Sequence, residues 1–137
     1  MGLFSKILIV AVIFSTVPNA SSADDLVEWG RYLAIEVGKC LECHTPKLPD
    51  GKLDKSKWFK GAEVEVTPIN PIPNWHKTSP DLTPSGRLWK RWGEENLKKY
   101  LITGLTPNGK PAGPPMPTYT LKPRDAEAIV EFLKSFK

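Results

Sequence analysis

Residues 38–47 read GKCLECHTPK, and this decapeptide decides how the whole chain is read. It holds both cysteines, Cys40 and Cys43, with His44, one of two histidines, directly after them. A Cys40–Cys43 disulfide would close a very small ring, and bridges of that size are mostly catalytic rather than structural. A thioredoxin-type redox centre expects a strand–helix–strand unit around the motif, and no strand-like alternation surrounds it here. A structural zinc ion needs four ligands. The other histidine, His76, is a distant candidate, and adjacent Cys43 and His44 fit one tetrahedral ion awkwardly. The remaining reading uses every residue of the cluster. Cys-x-x-Cys-His spaces two thiols for thioether bonds to haem and sets a histidine to bind its iron.

Iron held by one histidine keeps an open face. Beyond the initiator the chain holds a single methionine, Met116, within GKPAGPPMPTYT (residues 109–120). Prolines on both sides disfavour a helix there, so Met116 reads as a thioether presented from a rigid loop rather than as a core side chain. A His/Met pair favours ferrous iron and raises the potential. His76, in IPNWHKTSP (residues 72–80), is the competing ligand.

The amino terminus reads as an export leader over residues 1–23. Lys6 precedes an apolar run from Ile7 to Val17, and Ser21-Ser22-Ala23 matches a small-x-small cleavage site. The run falls short of the roughly 20 residues that span a bilayer, although retention as an uncleaved anchor is the alternative. The expected mature chain starts near Asp24, has no further membrane span, and works in the periplasm. Covalent haem attachment belongs to the same compartment.

The chain has 137 residues, 40% of them apolar, with a net charge of +4 and a pI near 9.1. This predicts one domain over residues 24–137. The mild, dispersed basicity argues against nucleic acid and fits docking to an acidic protein surface. Lys52, Lys55, Lys57 and Lys60, in KLDKSKWFK, are candidates for that surface; an ordinary solvated loop is the alternative.

Three helices are predicted. The first runs from Asp24 to Val37 with Leu26, Trp29, Leu33 and Val37 on one face, and stops at Gly38. The second is EENLKKYLIT (residues 94–103), with Leu97, Tyr100 and Leu101 buried and Gly104 as its stop. The third runs from Pro123 to Phe136, burying Ala126, Ile129, Val130, Leu133 and Phe136. Between the first two lies a long loop, about 45–87, rich in the chain's fourteen prolines. A loop of that length is unusual in a compact domain, but a haem offers an apolar disc for it to wrap. Trp58, Trp75, Trp89 and Trp92 are candidate packing partners. Their indole N–H groups, with Arg87, are candidate donors to haem propionates.

Taken together, GRYLAIEVGKCLECHT, PDLTPSG, RWGEENLKKYLITG, GKPAGPPMP and RDAEAIVEFLKSF resemble a class I c-type cytochrome over nearly the whole mature chain. The order is similar to haem domains that accompany periplasmic alcohol, aldehyde and sugar-acid dehydrogenases. The resemblance implies an all-α fold of three main helices around one haem c, with the first and last helices crossing. It assigns Cys40 and Cys43 to the thioethers, His44 and Met116 to the iron, and Trp92 to the tryptophan that precedes the second helix. Asp81 stands where asparagine is more usual, and the first helix is one residue longer before the cysteines than the family pattern.

The expected function is therefore single-electron transfer between a dehydrogenase-type donor and an acceptor such as a terminal oxidase or another cytochrome. No Ser/His/Asp set, catalytic carboxylate pair or phosphate loop calls for an enzyme. The rival is a haem protein with a labile distal site, acting as a gas sensor or weak peroxidase. A haem-free thiol oxidoreductase is a second.

Overall fold

The computed structural model describes residues 23–136. The leader read over residues 1–23 lies outside them, apart from Ala23. No helix among the described residues is long and apolar enough to cross a membrane.

The first helix, α1 (Ala23–Tyr32), starts with Asp24 and Asp25 and ends near Arg31, charges that suit the two ends of its dipole. Its buried side is not the expected stripe. Gly30 and Ala34 are buried, with Val27 and Leu33 packed partly against the core, while Trp29 and Val37 are 44% and 59% exposed. The reason is the partner. α1 crosses the last helix, α4 (Pro123–Lys134), closely enough that a Cβ on Gly30 would lie 1.9 Å from the Ala128 carbonyl oxygen. On the α1 side, small residues rather than large apolar ones make the closest approach. Trp29 instead stacks on Tyr32 at the edge, and its Nε1 donates to Asp125 at 2.9 Å.

After Tyr32 the chain widens into one π-helical turn, Leu33–Val37, closed by Gly38 N–H donating to Leu33 O at 2.7 Å. A π-turn absorbs one extra residue without breaking the helix.

Lys39 in the left-handed region (φ 51°) reverses the chain into α2 (Cys40–His44). The following loop is mostly irregular, as predicted. It carries a 3₁₀ turn (Lys55–Lys57) and a short antiparallel ladder of β1 (Ala62–Glu63) with β2 (Thr78–Ser79). The second predicted helix starts earlier than Glu94. α3 runs Arg87–Thr103 with a break at Gly93 (φ 71°, ψ 170°), so Arg87, Trp89 and Trp92 are helical, before the break. Leu97, Tyr100 and Leu101 are buried as expected, and Gly104 terminates the helix at φ 72°.

In α4, Ala126, Ile129, Val130 and Leu133 are buried, joined by Ala128 and Phe132; Phe136 lies beyond the helix and is half-buried. Phe59 is fully buried and packs edge-on against Phe132 and Phe136, at ring centroid distances of 5.7 and 5.1 Å. The loop before the ladder is thereby stitched to the helical core.

Candidate functional site

In α2 the two cysteines are three positions apart, so both thiols emerge on one side of a single turn. Leu41 and His44 are buried while Cys40 and Cys43 are half-buried. Burial, with a smaller contribution from Cys43, pushes the Cys40 thiol up to about 11. A redox-active thiol is favoured by the opposite shift, which weighs against the thiol oxidoreductase reading. Among the described residues no group of three or more His, Cys, Asp or Glu side chains converges as a metal site, so the zinc reading lacks ligands.

His44 is 4% exposed, and its Nδ1 lies 2.8 Å from the Pro80 carbonyl oxygen. A carbonyl only accepts, so Nδ1 carries the proton. Burial lowers the pKa of His44, which keeps the ring neutral and leaves Nε2 with a free lone pair. Contacts of the residues around it fix Pro80. The Ser79 hydroxyl donates to the Cys43 carbonyl and accepts from Ala62 N–H at 2.9 Å. Leu82 N–H donates to Phe59 O at 2.8 Å, and Gly61 N–H donates to the His44 carbonyl at 2.9 Å. Asp81 Oδ1 accepts from both the amide and hydroxyl of Thr83, each at 2.7 Å, and Lys60 donates to Thr83 and Ser85. The carboxylate thus performs the turn-forming task of an asparagine carbonyl.

The second candidate ligand, Met116, is half-buried and packs against the same core as Cys40. It closes a turn through its amide to Gly113 O at 3.2 Å. His76 lies against this turn. Its amide donates to Pro114 O at 2.8 Å, and a Cβ on Gly113 would be 3.0 Å from its Nε2. Its side chain is exposed.

Trp58, Trp89 and Trp92 pack against the core, and Trp92 meets Tyr100 edge-on at 5.6 Å. Trp75 is half-buried outside that cluster. Trp58 Nε1 is buried with no hydrogen-bond partner among the described residues. Arg87 is exposed and makes no ion pair or hydrogen bond among them. Of the lysine patch, Lys52 and Lys57 pair with Asp50 and Asp54, and Lys60 serves the hydroxyl cluster. Of the four, Lys55 alone makes neither an ion pair nor a side-chain hydrogen bond among the described residues. The patch is therefore weaker as a docking surface than its sequence suggests.

Residues 30–137 match the model of the cytochrome c family. The chain belongs to that family. It is a c-type cytochrome, an electron-transfer protein whose domain holds covalent haem c, and Cys40, Cys43 and His44 have the spacing of that attachment. It is 37% identical over 112 residues to a diheme cytochrome c-type protein of Cereibacter sphaeroides, covering 78% of this chain and 34% of the relative. It is 31% identical over 111 residues to the fructose dehydrogenase cytochrome subunit of Gluconobacter japonicus, covering 77% and 21%. Against one of the subunits of a Pseudomonas putida nicotinate dehydrogenase it is 30% identical over 118 residues, covering 80% and 9%. This cytochrome thus spans about a third or less of the curated relatives it matches. Its residues fit haem c: two thiols on one side of a turn, a neutral buried imidazole with Nε2 bare, and a buried indole N–H awaiting an acceptor.

Sequence reasoning misses three parts of the site: the Pro80 carbonyl, the Ser79 hydroxyl, and Tyr119, whose hydroxyl donates to Gly38 O just before the cysteines at 2.8 Å. The first two lie within or beside the PDLTPSG motif, which is the available signal. Tyr119 has no such marker beyond following Met116 by three positions.

Proposed function

We propose that this cytochrome is an exported, monohaem electron carrier. Its donor is a periplasmic dehydrogenase of the kind whose cytochrome subunits it resembles, and its acceptor is a terminal oxidase or another cytochrome. Residues 1–23 act as the leader and residues 24–137 as the cytochrome domain. Bound haem supplies a one-electron couple. Cys40 and Cys43 hold it covalently, and His44 Nε2 binds the iron while its Nδ1–H is fixed on Pro80. Met116 would supply the second iron ligand; its half-buried place against the core supports it over exposed His76. Trp58 Nε1 serves as a buried donor to the group's carboxylates, a role for which exposed Arg87 is less suited. Trp92 packs on Tyr100 as a wall of the core. Lys55 is the lysine best able to steer an acidic partner.

The observation that carries this reading is the oriented, neutral imidazole of His44 immediately after the paired thiols. It is tested on protein matured in a bacterial periplasm. Expected are the mass of residues 24–137 plus one haem and a dithionite-reduced c-type spectrum that carbon monoxide leaves unchanged. A spectrum shifted by carbon monoxide would instead move the reading to a gas sensor or weak peroxidase.

A further inference from the structure

The segment that carries Met116, residues 112–121, contains no helix or strand. It is held at three points. Pro114 O accepts from His76 N–H at 2.8 Å, Leu121 N–H donates to Leu101 O at 2.9 Å, and the Tyr119 hydroxyl donates to Gly38 O at 2.8 Å. The first two tie the loop to His76 in the proline-rich segment and to Leu101 in α3. The third spans 81 positions and reaches the end of the π-turn, two residues before Cys40. A Cβ on Gly38 would lie 3.2 Å from Cys40 Sγ and 3.6 Å from Tyr119 Oη, so the phenol and the thiol share one small space.

The π-turn makes this contact available. Gly38 spends its amide on Leu33 O, and the chain then turns at Lys39, while the Gly38 carbonyl accepts from Tyr119. Tyr119 is half-buried, and burial, followed by smaller contributions from Cys40, Tyr100 and Cys43, pushes its hydroxyl up to about 12. It stays a protonated donor throughout the working range.

We propose that Tyr119 is a positioning residue whose hydroxyl latches the Met116 loop to the start of the haem-attachment motif, holding the distal face closed. The inference rests on the reading of Met116 as the distal ligand. Losing a hydrogen bond of ordinary net strength shifts the ratio of open to closed loop by about two- to tenfold. An external ligand competing with Met116 gains apparent affinity by the same factor.

The test uses matured holoprotein and Tyr119→Phe, which keeps the ring and removes only the hydroxyl. Ferric protein is titrated with imidazole while the weak far-red sulfur-to-iron band is followed. Ile129→Val, a mild core destabilisation in α4, the helix that takes none of the loop's three hydrogen bonds, serves as control. Expected is a band in the parent, imidazole binding about two- to tenfold tighter in Tyr119→Phe, and no change in Ile129→Val. Parental imidazole affinity in Tyr119→Phe, with the band present in the parent, overturns the latch alone. An equal gain in both variants also overturns it, because general loosening would then explain the effect. A parent without the band overturns the Met116 reading and the latch with it.

Discussion

The imidazole of His44 and the carbonyl of Pro80 meet at 2.8 Å across 36 positions of sequence. That contact selects the tautomer, and its strength sets how much electron density His44 can give to whatever Nε2 binds. Pro80 has no amide to anchor itself by. Its carbonyl is aimed by Ser79, whose hydroxyl ties the preceding residue to Cys43 O and Ala62 N. The geometry of the candidate proximal ligand is therefore inherited in part from Ser79, whose own hydrogen bonds go to Cys43 and Ala62 rather than to the imidazole.

Ser79→Ala should loosen that aim. A weaker hydrogen bond at Nδ1 makes the imidazole a poorer donor, disfavours the ferric state and raises the reduction potential. The ceiling is about 60 mV, the one-electron equivalent of a net hydrogen bond of about 1.4 kcal/mol. Protein-film voltammetry of the matured variant measures it. Ser79→Thr, which keeps the hydroxyl, should stay near the parent.

Gly30→Ala should be far more damaging than a surface alanine substitution. The added Cβ would meet the Ala128 carbonyl carbon at 2.4 Å and Phe132 Cβ at 2.9 Å, as well as the oxygen at 1.9 Å. Backbone and a buried side chain cannot yield cheaply, so α1 and α4 must separate. The cost is about 3 kcal/mol, the upper range for overpacking, read as a lowered guanidinium midpoint. Glu28→Ala, on the exposed side of the same helix, should change stability by less than about 0.5 kcal/mol.

These two sites show what the sequence discloses and what it conceals. The haem motif is legible because its chemistry is compressed into Cys40–His44. The 3.6-residue period of α4 and of α3 beyond Gly93 is legible because large apolar side chains mark it. The α1 face is not, since Gly30 and Ala34 bury backbone rather than bulk, and a search for large residues lights on Trp29 and Val37. The start of α3 is hidden by Gly93, which interrupts the pattern, and by Arg and Lys around Trp89 and Trp92. Contacts such as Ser79–Cys43 and Tyr119–Gly38 join residues far apart, and separation of that kind leaves no local trace.

Glu94 should give the protein a pH-dependent tie between α3 and α4. Its carboxylate accepts from Lys98 at 2.8 Å and pairs with Lys134 at 3.0 Å. Side-chain hydrogen bonding to Lys98, then to Lys134, holds it below the ordinary glutamate value of 4.5. A depressed carboxyl pKa stabilises the folded state above 4.5, and the contribution fades as pH falls through the lower folded value. The group is near the surface, so about 0.5–1 kcal/mol is expected. Glu94→Gln should lose that amount at pH 7 in low salt and converge with the parent under acid conditions. Urea titrations at pH 7 and pH 3 check both arms.

The buried indole nitrogen of Trp58 offers a test whose sign separates two states of the protein. Its Nε1 has no partner among the described residues, and a buried donor left unsatisfied costs about 1–3 kcal/mol. If bound haem brings a carboxylate to that donor, the cost becomes a charge-assisted bond of about 1.5–3 kcal/mol. Trp58→Phe should then destabilise the matured holoprotein while leaving the haem-free chain no less stable than the parent. Paired guanidinium unfolding of parent and variant, each with and without the cofactor, gives the comparison. Equal effects in the two forms would mean that Trp58 serves the core by its bulk alone, and that the carboxylates find their donors elsewhere.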